Sequence, residues 1–376
     1  MTPGDGVTGL LQALVDGGDE IGVQVCAYQD GRQIIDSFAG IADNSTGRPV
    51  DGDTLFNVFS VTKAVAATVL HVQAERGVLR YEDKVASIWT EFGENGKQDV
   101  TIADVLQHRS GVPQMPAEVT PDRMCDWRWM TDHIAALEPV VKPGAESGYQ
   151  SMTFGWIVGE IARRIDGGHR DFGRIVKEEV ADPLGISDLW IGLPPSEHGR
   201  VAVMNGDSVA DFPDGTLYRA ACPRQVDLMP DPFGRKQIRE ATIPAVGGIF
   251  TARAGARFFA MLANGGSLDG VRLLSEERVR SFVVPRPWAD EPDPVFFGMV
   301  IPMGSGGFWL GSDYPPTAAA GGPATLCHPG MGGAVGFADL ERNLAVMFCR
   351  NRLYNPTGPH DDRGAKVANF IRETVN

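Results

Sequence analysis

Around residues 21–38 two mainly apolar runs flank a break, with Ile21-Gly22-Val23-Gln24-Val25-Cys26-Ala27-Tyr28 before Asp30-Gly31 and Arg32-Gln33-Ile34-Ile35-Asp36-Ser37-Phe38 after it. This predicts two strands joined by a tight Asp-Gly turn, a hairpin opening an antiparallel sheet. Small and branched residues from about Val61 to Arg76, stopped by Gly77, predict a helix, and further amphipathic helices are expected near 101–107, 152–166 and 170–181. The middle of the chain reads as helices with long loops. From about residue 240 a glycine-punctuated β pattern returns, with strands over 333–340 and 344–349 around Glu341-Arg342-Asn343, and a last helix is expected near 361–375. Pro315-Pro316 and Ala318-Ala319-Ala320-Gly321-Gly322 read as a loop.

Strands at both ends with helices between them predict an α+β fold: an antiparallel sheet assembled from both termini and flanked by helices, with a mostly helical domain inserted. The division is 1–55 plus 240–376 for the sheet domain and 56–239 for the helical one, with a cleft between them. Composition agrees with an ordinary globular protein, at 43% hydrophobic and 22% charged residues. The formal charge of -14 would repel nucleic acid and anionic lipid, and no segment has the ~18 uninterrupted apolar residues of a membrane span. Five scattered cysteines with no C-x-x-C pair suggest neither a disulfide framework nor a metal site. With no basic, apolar leader at Met1-Thr2-Pro3-Gly4, a cytoplasmic location is expected.

Chemistry enters at Ser60-Val61-Thr62-Lys63. A serine hydroxyl is a poor nucleophile until a base takes its proton, and a lysine one helical turn on can do so if burial lowers its pKa. Ser60 is the one serine followed three residues later by lysine. Taken alone the pair reads more readily as a helix cap with a solvated lysine. Two other boxes follow in order. Tyr149-Gln150-Ser151 is the one Tyr-x-[Ser/Asn] among 6 tyrosines, and His328-Pro329-Gly330 is the one His-x-Gly among 7 histidines. A phenol beside a lysine can shuttle a proton between nucleophile and leaving group.

This order resembles the S-x-x-K, Y-x-N/S and [K/H]-x-G boxes of the class C β-lactamase and penicillin-binding protein superfamily, most closely the family VIII carboxylesterases. Leu106-Gln107-His108-Arg109-Ser110-Gly111-Val112-Pro113, Gly155-Trp156-Ile157-Val158-Gly159-Glu160-Ile161, Pro183-Leu184-Gly185-Ile186 and Gly247-Gly248-Ile249-Phe250-Thr251-Ala252 extend the resemblance over roughly residues 10–375. It implies a serine β-lactamase-like fold with Ser60 as nucleophile, Lys63 and Tyr149 as proton-transfer pair, and the backbone N–H groups of Ser60 and Met331 as oxyanion hole. Ser151, His328 and Gly330 would contact substrate. Ser151 stands where many relatives carry Asn, and His328 where most β-lactamases carry Lys. A largely neutral imidazole selects less strongly for an anionic β-lactam than a permanent charge does. Lys142-Pro143-Gly144 reads as a structural turn.

The expected function is therefore a carboxylesterase acting through an acyl-enzyme on small or medium esters, with at most weak β-lactamase activity and no metal or other cofactor. The alternatives are an acyltransferase of a secondary metabolite, a β-lactamase or D-amino-acid peptidase, and a binding or sensor module that keeps the fold. The expected partner is a small-molecule ester or amide, and a homo-oligomer stays open. Trp127, Trp129, Trp156, Trp288 and Trp309 are candidates for an apolar pocket, with core packing the preferred reading of each.

Overall fold

A computed structural model describes residues 3–206, 212–354 and 363–375. The hairpin forms as expected: strands Gly22–Gln29 and Arg32–Asp43 flank Asp30 (φ 48°) and Gly31 (φ 74°), a two-residue turn with both φ positive, as its twist requires. It belongs to a seven-stranded antiparallel sheet. The order is Trp309–Leu310, Thr325–Pro329, Val335–Asp339, Leu344–Arg350, Gly22–Gln29, Arg32–Asp43, Arg48–Pro49. The two ends of the chain meet where Leu344–Arg350 pairs with Gly22–Gln29, Val25 lying opposite Phe348.

Leu344–Arg350 is buried along its whole length because helices cover both faces of the sheet. A Cβ on Gly336 would stand 2.0 Å from Phe259, and Gly255 in the same helix, Ala252–Ala263, lies against Met347. The neighbouring residues Val335 and Phe348 face Gly364 in the last helix, Arg363–Thr374. Successive strand residues point to opposite faces, so the two helices sandwich the sheet. Residues 361–362 of the helix expected over 361–375 lie outside the described ones.

Three expectations change in detail. The helix expected over 170–181 divides into Phe172–Val176 and a wider turn over Lys177–Ala181. A strand from the middle of the chain, Leu189–Ile191, joins Phe56–Phe59 and Gly248–Phe250 in a second, three-stranded sheet, so the middle is not purely helical. The proline loop contains a short 3-10 turn, Pro315–Thr317. No helix among the described residues is long and apolar enough to cross a membrane.

The helix Thr62–Glu75 carries the first chemical box and is buried from Thr62 through Ala74. A helix enclosed on all sides has no use for a polar face, which accounts for its Ala, Val and Leu content. Gly77 (φ 71°) ends it. Its N–H bonds to Ala74 O and that of Val78 to Gln73 O, the paired closure that a left-handed residue permits. The helix packs against Thr153–Ile165, which presses in turn on the loop at Pro244-Ala245: a Cβ on Gly155 would lie 2.2 Å from Ala245 N. Gly155→Ala should therefore push that loop away, destabilising the fold by about 1–3 kcal/mol through overpacking. Urea unfolding checks this, and a variant as stable as the parent would contradict it.

Candidate active site

Ser60 sits in the turn between strand Phe56–Phe59 and helix Thr62–Glu75. Phe59 adopts φ 44°, an uncommon conformation for a bulky residue, and Thr62 holds it there. The Thr62 hydroxyl donates to Phe59 O and accepts from Gly248 N–H at 2.8 Å, pinning the turn to the three-stranded sheet. Ser60 is left buried at the helix entrance.

Lys63 has no solvent-exposed surface, and its Nζ lies 2.9 Å from Ser60 Oγ, 2.8 Å from Ser151 O and 3.2 Å from Ala245 O. Burial drives its pKa well below the ordinary lysine value. A neutral amine has two N–H donors and one lone pair. Two carbonyls, which only accept, engage the donors and leave the lone pair for the Ser60 hydroxyl. Ser151 thus contributes through its main chain to holding the lysine.

Lys63 Nζ lies 5.3 Å from the centre of the Tyr149 ring. Burial raises the phenol's pKa; the nearby Ser60 side chain opposes this and the charge of Asp293 adds to it. Asp293 is itself fully buried. One carboxylate oxygen accepts Tyr149 N–H at 2.9 Å, and the other accepts from Val295 and Phe296 at 2.9 and 3.3 Å. Those bonds bring the Phe296 ring to 5.0 Å from Tyr149. On the opposite side His108 (φ 59°) stacks between Tyr149 and Phe154 and takes Gln150 N–H on Nδ1 at 3.0 Å. The tyrosine box is clamped from both sides.

His328 lies on strand Thr325–Pro329, which is not an edge strand because Trp309–Leu310 covers it. Its imidazole is completely buried, and desolvation, reinforced by Lys63, lowers its pKa to about 3. Cys327 is likewise fully buried, between Trp309 and Phe337 in the sheet register, and burial raises its thiol pKa, so it is no rival nucleophile. Gly330 permits a close approach: a Cβ there would meet Val58 O at 2.3 Å. This places the peptide leading to Met331 beside the strand that ends at Ser60.

Of the tryptophans weighed for a pocket, Trp309 joins the site, its ring 5.6 Å from Tyr149 and 5.8 Å from His328. Trp156 is core, Trp127 donates to Glu160, and Trp129 stacks on His133. Trp288 is half exposed beneath Arg109. Gly144 adopts φ 68° and its N–H bonds to Arg109 O, so Lys142-Pro143-Gly144 is a turn. Asp293, Thr62, Ala245 and Trp309 were not assigned to the site from sequence. Their places depend on contacts between distant segments, and no local motif marks them.

The family model described as Beta-lactamase matches residues 7–370. The chain belongs to the β-lactamase family. Its relatives include the esterase/β-lactamase LipL of Mycobacterium tuberculosis (strain ATCC 25618 / H37Rv), 32% identical over 371 residues that span 94% of this chain and 82% of LipL. A family VIII carboxylesterase superposes with a TM-score of 0.89 at 31% identity, covering 100% of this chain and 98% of its own. A penicillin-binding protein homolog from Caulobacter crescentus gives 0.87 at 31% identity, over 99% and 98%. This member of the β-lactamase family is a serine hydrolase, with the antiparallel sheet flanked by helices that the resemblance implied.

Burial also makes the enzyme acid-sensitive. His71 and His328 are lowered to about 3, and His108 is driven well below the usual imidazole value. In the unfolded chain each takes up a proton below about pH 6.5, whereas in the folded protein His71 and His328 resist protonation down to about pH 3 and His108 also stays neutral well below its usual value. The unfolded state binds more protons in that window, so stability falls as pH drops through it. Urea midpoints measured down the range should decline, and His328→Phe should make the decline shallower. A flat profile would mean that the imidazoles protonate within the fold.

Proposed function

We propose that this protein is a carboxylesterase that cleaves small or medium neutral esters in the cytoplasm through an acyl-enzyme on Ser60, with at most weak β-lactamase activity. The observation that carries this reading is the buried Lys63 Nζ, within hydrogen-bond distance of Ser60 Oγ, Ser151 O and Ala245 O; in its neutral form the two carbonyls take its N–H groups and the lone pair is left for Ser60 Oγ. The cleft of this reading lies between a sheet domain, 1–55 plus 240–376, and a helical domain, 56–239.

As Ser60 Oγ bonds to the ester carbonyl, Lys63 takes its proton. The oxyanion is received by the N–H groups of Ser60 and Met331, near the positive end of the helix Thr62–Glu75. The departing alkoxide takes its proton from the Tyr149 phenol. Water then attacks the acyl carbonyl and gives a proton to the Tyr149 phenolate. As the acyl bond to Oγ breaks, Lys63 returns its proton to Ser60, and the acid leaves. His328, neutral at working pH, offers no cation for a β-lactam carboxylate, and the aromatic surroundings of Tyr149 favour an uncharged substrate. Ser151 and Gly330 border the substrate in this reading.

Incubation with p-nitrophenyl butyrate should give a burst of nitrophenol and a butyryl mass adduct on Ser60, and Ser60→Ala should lose about a thousandfold or more in turnover. An unmodified Ser60, or equal turnover by the variant, would sink the mechanism. Asp293→Asn tests the tyrosine. The Asp293 charge opposes ionisation of the phenol, so its removal should move the alkaline limb of kcat/KM to lower pH. A purely structural aspartate would lower kcat and leave that limb in place.

A further inference from the structure

Two buried polar atoms on neighbouring rings have no hydrogen-bond partner among the described residues: His328 Nε2 and the indole Nε1 of Trp309. His328 is fully buried and Trp309 is 4% exposed. A buried polar group without a partner costs about 1–3 kcal/mol, so each such atom calls for a reason. Others occur elsewhere, at Trp156 and Trp190 for example, but these two belong to neighbouring rings, 5.8 Å apart, of which Trp309 lies 5.6 Å from Tyr149 and His328 feels the charge of Lys63.

Their hydrogen-bonding characters are opposite. His328 Nδ1 lies 3.0 Å from Pro329 O, and a carbonyl only accepts, so the imidazole hydrogen is on Nδ1. Nε2 is therefore an acceptor. The indole N–H only donates. A carboxylate would satisfy the indole while setting its charge against the Nε2 lone pair, and an ether would leave Nε2 unpaired. Among substrate substituents a hydroxyl answers both with a single oxygen, giving its hydrogen to one ring and taking the other's on its oxygen.

We propose that His328 Nε2 and Trp309 Nε1 form a subsite for a neutral substituent that both donates and accepts a hydrogen bond, a hydroxyl, carried by the ester near its scissile bond. The subsite rests on the esterase reading above and specifies its substrates as hydroxylated, uncharged esters. A carboxamide has the same two-sided chemistry and is the closest competitor.

The test compares kcat/KM for ethyl butyrate with ethyl β-hydroxybutyrate, hydroxyethyl butyrate, the methoxy ether of each, carbamoylmethyl butyrate and monoethyl succinate. One hydroxy ester should exceed ethyl butyrate by about tenfold, the worth of one or two hydrogen bonds to otherwise unpaired buried groups. Its methoxy ether should lose that gain, and the succinate should fall below ethyl butyrate. Trp309→Phe, which keeps an aromatic ring and removes the N–H, should reduce the ratio of hydroxy to ethyl ester. A gain confined to the carbamoyl ester would replace hydroxyl by amide and overturn the proposal as stated. Ser60-dependent turnover with no preference across the panel, or with the succinate preferred, would overturn the subsite alone. Turnover of ethyl butyrate by Ser60→Ala at the parent rate would remove the esterase reading instead.

Discussion

The amine of Lys63 meets oxygens from three separate parts of the chain: its own helix at Ser60, the tyrosine box at Ser151, and the loop at Ala245. A buried lysine is tolerated when burial lowers its pKa and its N–H groups find acceptors, and here burial drives the pKa well below the ordinary lysine value while carbonyls lie in reach. Each acceptor depends on a larger element. Helix Thr153–Ile165 follows directly from the tyrosine box, and it packs on the lysine helix and, through Gly155, on the Ala245 loop. Correct packing and correct protonation of the site are therefore one structural requirement.

The second constraint is the burial of the titratable groups around Ser60. Burial holds Lys63, His108 and His328 toward their neutral forms and keeps the Tyr149 phenol protonated. Asp293 is the carboxylate bonded into this region, and three main-chain N–H groups satisfy it. Its bonds set Phe296 against the Tyr149 ring, and its charge raises the phenol's pKa. Where a lysine would hold a permanent cation, burial holds the His328 ring toward its neutral form.

Part of this was legible in sequence because it is local. The Asp30-Gly31 turn follows from turn chemistry. The helix beginning after Ser60 follows from a run of small and branched residues closed by Gly77. Tyr149 and His328 stood out by occurring once each in their motifs, in the right order, and the structure brings both to Ser60 and Lys63. Asp293 and Thr62 carry no such mark. An aspartate in a Pro-rich loop and a threonine inside a motif look ordinary until the Tyr149 and Gly248 amides are seen pointing at them.

The sequence by itself determined the kinds of groups available, their order, and the local turns that present them, because helix spacing and turn geometry act over a few residues. Only the tertiary structure decided that the amine is dry and held by two carbonyls, that strand Thr325–Pro329 lies inside the sheet, and that Trp309 stands beside His328. Burial and partner geometry depend on contacts between residues tens to hundreds of positions apart. Those contacts change lysine, tyrosine and histidine from ordinary side chains into a neutral, preorganised site.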